Sequence, residues 1–202
     1  MRTGCLLLAL LGLMSADRTW TFEEDPVGAT PRGFVGAEGR WEVVQTPEGR
    51  VLAQTASNPD KTFNVALVAG TEAADVALSV RVRAGEGVED RGGGLVWRAR
   101  DARNYYIARW NPLEDNFRVY KVVDGVRTMF QDAPAPRRAG WRTVGVVMTG
   151  DHITCTLDGV KLLDLRDPTF REAGRVGVWS KADARSFFDD LRVGPAAPSG
   201  GP

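Results

Sequence analysis

The residues of this chain that could do chemistry fall into a few groups, which differ in type and spacing. The most suggestive group is polar and aromatic. Arg98, Tyr105, Arg109, Asn111 and Lys121 lie in three neighbouring apolar runs, interleaved with Trp97, Tyr106, Trp110 and Tyr120. On an extended strand, side chains alternate between faces. Tyr105, Arg109 and Asn111 therefore share a face. Arg98 and Lys121 are expected to join them from adjacent strands, with Trp97, Tyr106, Trp110 and Tyr120 on the other face or along its edge. Arginine and asparagine donate hydrogen bonds to hydroxyls or carboxylates, and aromatic faces stack on apolar C–H surfaces such as those of sugar rings. Small-molecule pockets combine these two elements, so Arg98, Tyr105, Arg109, Asn111, Lys121 and Trp110 are the candidate ligand-binding residues. The competing reading is scaffold: half of these aromatics must be core, and arginine on a sheet surface is common.

The other groups are weaker. Glycosidic hydrolysis uses two carboxylates a few ångströms apart. Glu23, Glu24 and Asp25 are consecutive and would alternate faces. Glu86, Glu89 and Asp90 lie in a Gly-rich polar loop, and Glu114 and Asp115 in a turn. No spacing among them forces a pair to converge, so they read as surface and turn acids. The sole histidine, His152, begins a strand. With no Gly-x-Ser-x-Gly elbow in the chain, it reads as a surface strand residue. His152 and Cys155 are too few for a His/Cys metal site. Gly92-Gly93-Gly94 is not followed by a helical pattern, so it is a turn or bulge and not a phosphate loop.

The elements that must position these residues are strands. After the N-terminal segment no amphipathic helix is evident, and short alternating runs bounded by Gly, Pro, Asn and Asp recur. Asp75 to Arg83 is the clearest, with Val76, Leu78, Val80 and Val82 on one face. Lys61–Val68 precedes it. Further strands are expected at Trp41–Val44, Val51–Gln54, Leu95–Arg100, Tyr105–Asn111, Phe117–Val123, Thr143–Met148, His152–Leu157, Val160–Leu165, Arg175–Trp179 and Phe187–Val193. Asp124-Gly125 and Asp158-Gly159 each fit a two-residue hairpin, whose central residues need positive φ. The pairings are thus antiparallel. About a dozen strands exceeds an immunoglobulin-type sandwich and suits an all-β, two-sheet jelly roll. Cys155 alternates with Ile153 and Leu157 and is expected to be a buried, unpaired thiol.

The 202 residues suit one domain. With 26 basic and 26 acidic residues, formal charge is zero, so electrostatics argue for neither nucleic acid nor an anionic membrane as partner. Residues 1–16 read as a signal peptide: Arg2 is the positive region, Cys5 to Met14 the apolar region, and Ser15-Ala16 the cleavage site. The apolar run is too short to span a bilayer, although retention as an anchor is the alternative. The expected location is secreted or periplasmic. Residues 17–194 form the domain, and the Pro/Gly/Ser tail at 195–202 is expected to be disordered.

From Gly92 onward a family resemblance enters. The segments GGGLVWRARDARNYYIARWN, FRVYKVVDG, GWRTVGVVMTGDHITCTLDGVKLLD and GRVGVWSKADARSFFDDLRV resemble the concanavalin A-like lectin/glucanase superfamily. Within it they are most similar to the laminin-G-like and 3-keto-disaccharide hydrolase-related domains of secreted bacterial proteins. WTFEEDPVGATPRGF resembles the first strand of such domains. The Asn-Ser-Gly-type and Gly-Tyr-Glu-Val-Gln-type segments of the hydrolase-related members, and the Glu-x-Asp-x-Glu of the glucanases, are absent. The resemblance implies a concanavalin A-like jelly roll and a carbohydrate ligand. Sandwiches of this kind often carry calcium where the first and last strands meet, which makes Asp25, Asp189 and Asp190 candidate ligands; the alternative is a bulge at Asp189-Asp190 beside buried Phe188 and Leu191. The functional expectation is a secreted carbohydrate-binding or carbohydrate-associated sandwich in which no catalytic apparatus can be identified. The alternatives are a glycosidase acting on 3-keto-glycosides or related sugars, and an adhesion or protein-interaction module.

Overall fold

The computed structural model describes residues 17–196; the expected signal peptide and residues 197–202 of the tail lie outside the described residues. Fifteen strands are present: β1 (Arg18–Trp20), β2 (Phe34–Glu38), β3 (Trp41–Thr46), β4 (Gly49–Gln54), β5 (Phe63–Ala73), β6 (Val76–Ala84), β7 (Gly93–Asp101), β8 (Asn104–Asn111), β9 (Asn116–Val123), β10 (Val126–Pro134), β11 (Arg142–Thr149), β12 (His152–Leu157), β13 (Val160–Arg166), β14 (Gly174–Lys181) and β15 (Ser186–Gly194). No helix occurs among the described residues. An eight-stranded sheet runs β13-β12-β11-β6-β15-β4-β3, with β1 paired to β15. A seven-stranded sheet runs β10-β9-β8-β7-β14-β5-β2. Every strand pair is antiparallel. The protein is an all-β, two-sheet sandwich.

Local chemistry explains the pairings. Val123 faces Val126 and Leu157 faces Val160 across two-residue loops. Asp124 and Gly125 have φ of 50° and 83°, and Asp158 and Gly159 have 52° and 80°, the doubly left-handed geometry that matches the twist of a hairpin. In β6, Val76, Leu78, Val80 and Val82 point inward while Ala77, Ser79, Arg81 and Arg83 point out. Each fully buried aliphatic of this size stabilises the fold by about 1.5–3 kcal/mol, and a one-residue slip would turn all four to solvent, so register is strongly specified.

The core lies between the sheets. Trp97, Tyr106, Ala108, Trp110, Phe117 and Val119 meet Leu78, Val80, Val146, Met148, Ile153, Cys155 and Phe188. The Trp97 indole donates to the Met148 sulfur across the gap at 3.0 Å. Cys155 is fully buried and free, and burial pushes its thiol pKa far up. His152 is a partly exposed strand residue 2.6 Å from Asp164.

β7, β8 and β9 are buried on both faces, whereas an antiparallel sheet with one wet face should alternate. A second cluster explains this. Val65, Leu67, Val96, Tyr105, Ile107, Tyr120, Val122 and Trp179 pack together on the outer face of the seven-stranded sheet. The sheet achieves this by curling. Five strand steps separate β10 from β5, about 24 Å at ordinary spacing. Yet Arg127 of β10 lies over the Phe63 ring of β5, 5.2 Å from its centroid. The outer face is therefore a trough with β10 folded over it. Two floor glycines permit the curl. A Cβ on Gly94 would sit 1.9 Å from the Ala108 carbonyl oxygen, and one on Gly177 would sit 2.1 Å from that of Ala66.

Candidate functional site

The trough gathers the polar and aromatic residues that the sequence singles out, with corrections. Tyr105, Arg109 and Asn111 do share its face, as their spacing requires. Tyr120 is opposite Ile107 and joins them, whereas Lys121 is opposite Tyr106 and points to the other side. The expected faces of these two residues are thus reversed. The cause is the loop at residues 112–115. With four residues between paired Asn111 and Asn116, odd positions of β8 face even positions of β9. Lys121 instead binds Asp167 at 3.2 Å and Thr169 at 2.8 Å. Trp110 is a core residue, fully buried between the sheets.

Arg98 is also elsewhere. β7 is bulged between Trp97 and Asp101, and Arg98 has φ of 46°. The bulge throws its side chain to the end of the sandwich, where it is 2% exposed. It donates to the carbonyls of Ala74 at 2.7 Å, Phe170 at 2.6 Å and Gly150 at 2.7 Å. Arg98 braces three loops and takes no part in the trough. Tyr105 and Arg109 are likewise buried, not on an open face, because the curled sheet and Arg127 cover them.

Within the trough, two guanidinium groups approach Tyr120. Arg127 is 4.5 Å from its ring centroid and Arg109 is 5.7 Å away. Arg127 also lies over Trp179 at 5.8 Å. These are cation–π distances. Arg109 donates from Nη2 to the Tyr120 hydroxyl at 3.1 Å and to Glu114 at 3.2 Å. Glu114 also accepts from Asn116 at 2.8 Å and Arg118 at 2.6 Å. Burial would raise the Glu114 carboxyl, but these donors hold it below its usual range. Asp90 accepts from Asn111 at 2.9 Å and lies 3.7 Å from Lys181; burial outweighs its cationic neighbours and raises its pKa.

Three buried guanidinium donors in the trough have no hydrogen-bond partner, Nε and Nη1 of Arg109 and Nη1 of Arg127, while the Trp179 indole is directed at the Tyr105 hydroxyl. Buried polar groups are almost always paired, and an unmet one costs about 1–3 kcal/mol. Three on one face leave the two guanidinium groups of the trough with unmet hydrogen-bonding capacity. Burial pushes the Tyr105 phenol far up, opposed in part by the Trp179 indole, so it is a neutral donor at any ordinary pH.

Elsewhere the chemistry is spent. Asp25 accepts from the backbone and side chain of Arg32, both at 3.1 Å. Asp189 and Asp190 face Arg81 at 3.5 Å and 3.1 Å and lie in a bulge of β15. The three candidate calcium ligands are thus occupied by arginines, and no group of three or more His, Cys, Asp or Glu side chains suited to a metal forms among the described residues. A cavity of about 400 Å³ lies on the opposite sheet between Asp17, Ser79, Gly145, Thr156 and Arg192, and no aromatic lines it.

Arg127, Trp179 and Phe63 are trough residues that the sequence reading missed. The Asp124-Gly125 turn sets the partner of Arg127, but the loop at residues 112–115, which decides the facing of β9, hid its face. Val123 and Val126 flank the Asp124-Gly125 turn, so Val122 faces Arg127, and Val122 shares the face of Tyr105. Trp179 and Phe63 arrive through long-range pairings with no comparable local signal.

Comparison with known proteins supports the architecture. No family model matches the chain, and no curated protein matches its sequence. Solved structures do. The carbohydrate binding module CBM66 from Bacillus subtilis superposes with a TM-score of 0.67 at 20% identity, over 79% of this chain and 94% of that one. The GH43 protein BlXynB from Bacillus licheniformis gives 0.65 at 14%, over 88% of this chain but only 39% of that one. Domain 4 of AbnA, an extracellular GH43 arabinanase from Geobacillus stearothermophilus, solved in complex with arabinotriose, gives 0.55 at 12%, over 90% and 93%. At these identities the likeness is one of fold: this chain is a two-sheet antiparallel sandwich similar to theirs.

Proposed function

We propose that this chain is an exported carbohydrate-binding sandwich and that the trough on its seven-stranded sheet is the ligand face. One observation carries the reading: three buried guanidinium donors without partners, interleaved with the rings of Tyr105, Tyr120 and Trp179, on one curved sheet face. Sugar recognition needs this pairing of ring faces for C–H surfaces with fixed donors for hydroxyl oxygens. Two structures of similar fold, a carbohydrate binding module and a domain solved in complex with arabinotriose, support it. Arg127 fills the trough in this structure, so a ligand enters by displacing its guanidinium from the rings.

The reading assigns binding and not turnover. Hydrolysis would need a carboxylate free to donate or accept a proton beside the sugar. Asp90 and Glu114, the acids that flank Arg109, are each held by other side chains. Export rests on the composition of residues 1–16 and is tested by N-terminal sequencing of protein recovered outside the cytoplasm.

A glycan array followed by calorimetry on the full-length chain tests the ligand face. Trp179→Ala and Tyr105→Phe should each weaken binding at least about fivefold, the loss of one stacking ring or one buried hydrogen bond. A folded protein that binds no glycan, or variants that bind as the parent does, would sink the reading.

A further inference from the structure

We infer that the sugar taken by the trough is acidic, a uronic acid residue whose carboxylate lies between the guanidinium groups of Arg127 and Arg109. The inference rests on the trough being a carbohydrate site and names the chemistry of what it holds.

The argument starts from Arg127. This side chain is half-buried, and burial lowers its pKa. It forms no ion pair with any carboxylate among the described residues, and its Nη1 has no hydrogen-bond partner. What it has instead is three aromatic rings, those of Tyr120, Phe63 and Trp179. Rings compensate a desolvated cation only in part, and removing a guanidinium from water without a counterion is costly. The cost is compounded because Arg109 is close enough to repel it. Arg109 is 1% exposed and offers two unpartnered nitrogens.

The local acids do not supply the missing charge. Glu114 accepts from Arg109, Asn116 and Arg118 together. Asp90 is tied to Asn111, the Arg91 backbone and Lys181. Two cations with spare donors thus face one trough, and an anion between them would relieve both the repulsion and the unmet hydrogen bonds. A carboxylate suits planar guanidinium groups. The Tyr105 hydroxyl, toward which the Trp179 indole is directed, keeps its own proton to donate and suits a hydroxyl of the sugar that bears it. When Arg127 turns toward the carboxylate, it uncovers the rings on which it now lies, and the sugar's apolar face can stack there. One side chain thereby couples recognition of charge to exposure of the stacking surface.

The test uses calorimetry on the full-length chain with three probes: oligogalacturonate, the same oligomer as its methyl ester, and a neutral arabino-oligosaccharide. A parallel panel presents glucuronate-bearing and sulfated oligosaccharides. The acid should bind at least about tenfold tighter than its ester, the scale of one charge-assisted hydrogen bond, and its affinity should fall as salt rises. If glucuronate is the preferred uronate, the same acid-over-ester ratio appears in that series. Arg127→Gln should erase the preference, and Arg127→Lys should keep part of it, with melting curves confirming that both variants fold. Equal affinity for acid and ester, binding of neutral glycans alone, or binding of sulfated glycans alone would overturn the acidic-sugar inference while leaving the carbohydrate reading intact. Failure to bind any probe or array glycan would overturn both.

Discussion

Replacing Arg98 with alanine separates scaffold from site, because the sequence places this residue in a ligand groove and the structure makes it a brace. The truncation strands three carbonyls. That of Phe170 is met in a buried setting, while those of Ala74 and Gly150 are partly accessible. The first should cost about 1–3 kcal/mol and the other two about 0.5–1 kcal/mol each, since water can partly replace the guanidinium. A cavity of about 320 Å³ already adjoins Arg98, beside Asp75, Gly150, Pro168 and Arg171, and it lets that water in. Recovering the desolvation cost of the cation offsets part of the loss, and the pairing with half-exposed Asp75 at 3.4 Å adds little. The net expectation is about 3 kcal/mol, or a fall in Tm of about 6–12 °C for a domain of this size. Arg98→Gly should recover about 1 kcal/mol of this, because the backbone there is left-handed. Thermal and urea melts of the two variants, with glycan affinity measured in parallel, decide the matter. A Tm within about 2 °C of the parent, accompanied by weakened binding, would mean that Arg98 is a ligand arm after all.

Two further outcomes follow from the packing. Cys155→Ser should destabilise by about 1–3 kcal/mol, since a hydroxyl would enter an apolar core without a partner, and the native thiol should label slowly but react at once in denaturant; fast native labelling would refute the burial. Asp183 accepts from the backbone N–H groups of Val88, Glu89 and Asp90. Burial would raise its carboxyl, but those donors lower it below the ordinary 3.8. Its contribution is therefore complete above the unfolded value and is lost as pH falls through the folded one. Asp183→Asn should flatten the stability–pH curve below about pH 4, measured as urea midpoints, and an unchanged curve would count against the loop clasp.

The strands and the two hairpins were legible because their signals are local. Period-two patterning and Asp-Gly turns decide facing and register over a few residues, and β6 and β12 follow them closely. What escaped was set by features without side-chain periodicity. The bulge at Arg98 reverses facing within β7. The loop at residues 112–115 fixes which face Lys121 and Tyr120 take. The curl that buries Tyr105 and Arg109 depends on long-range pairings of β14 and β5, and on glycines whose role emerges only when neighbouring backbones are in place. Strand β2, exposed along most of its length and containing Gly36, carries little apolar alternation to announce it.

The pairing of β1 with β15 has an architectural consequence. Arg18, near the start of the described residues, lies opposite Val193, near their end, on the sheet that does not form the trough. The described residues thus begin and end side by side within that sheet. A body built this way can be spliced into a surface turn of another protein without parting its sheets. At such a splice the trough would look outward from the opposite side.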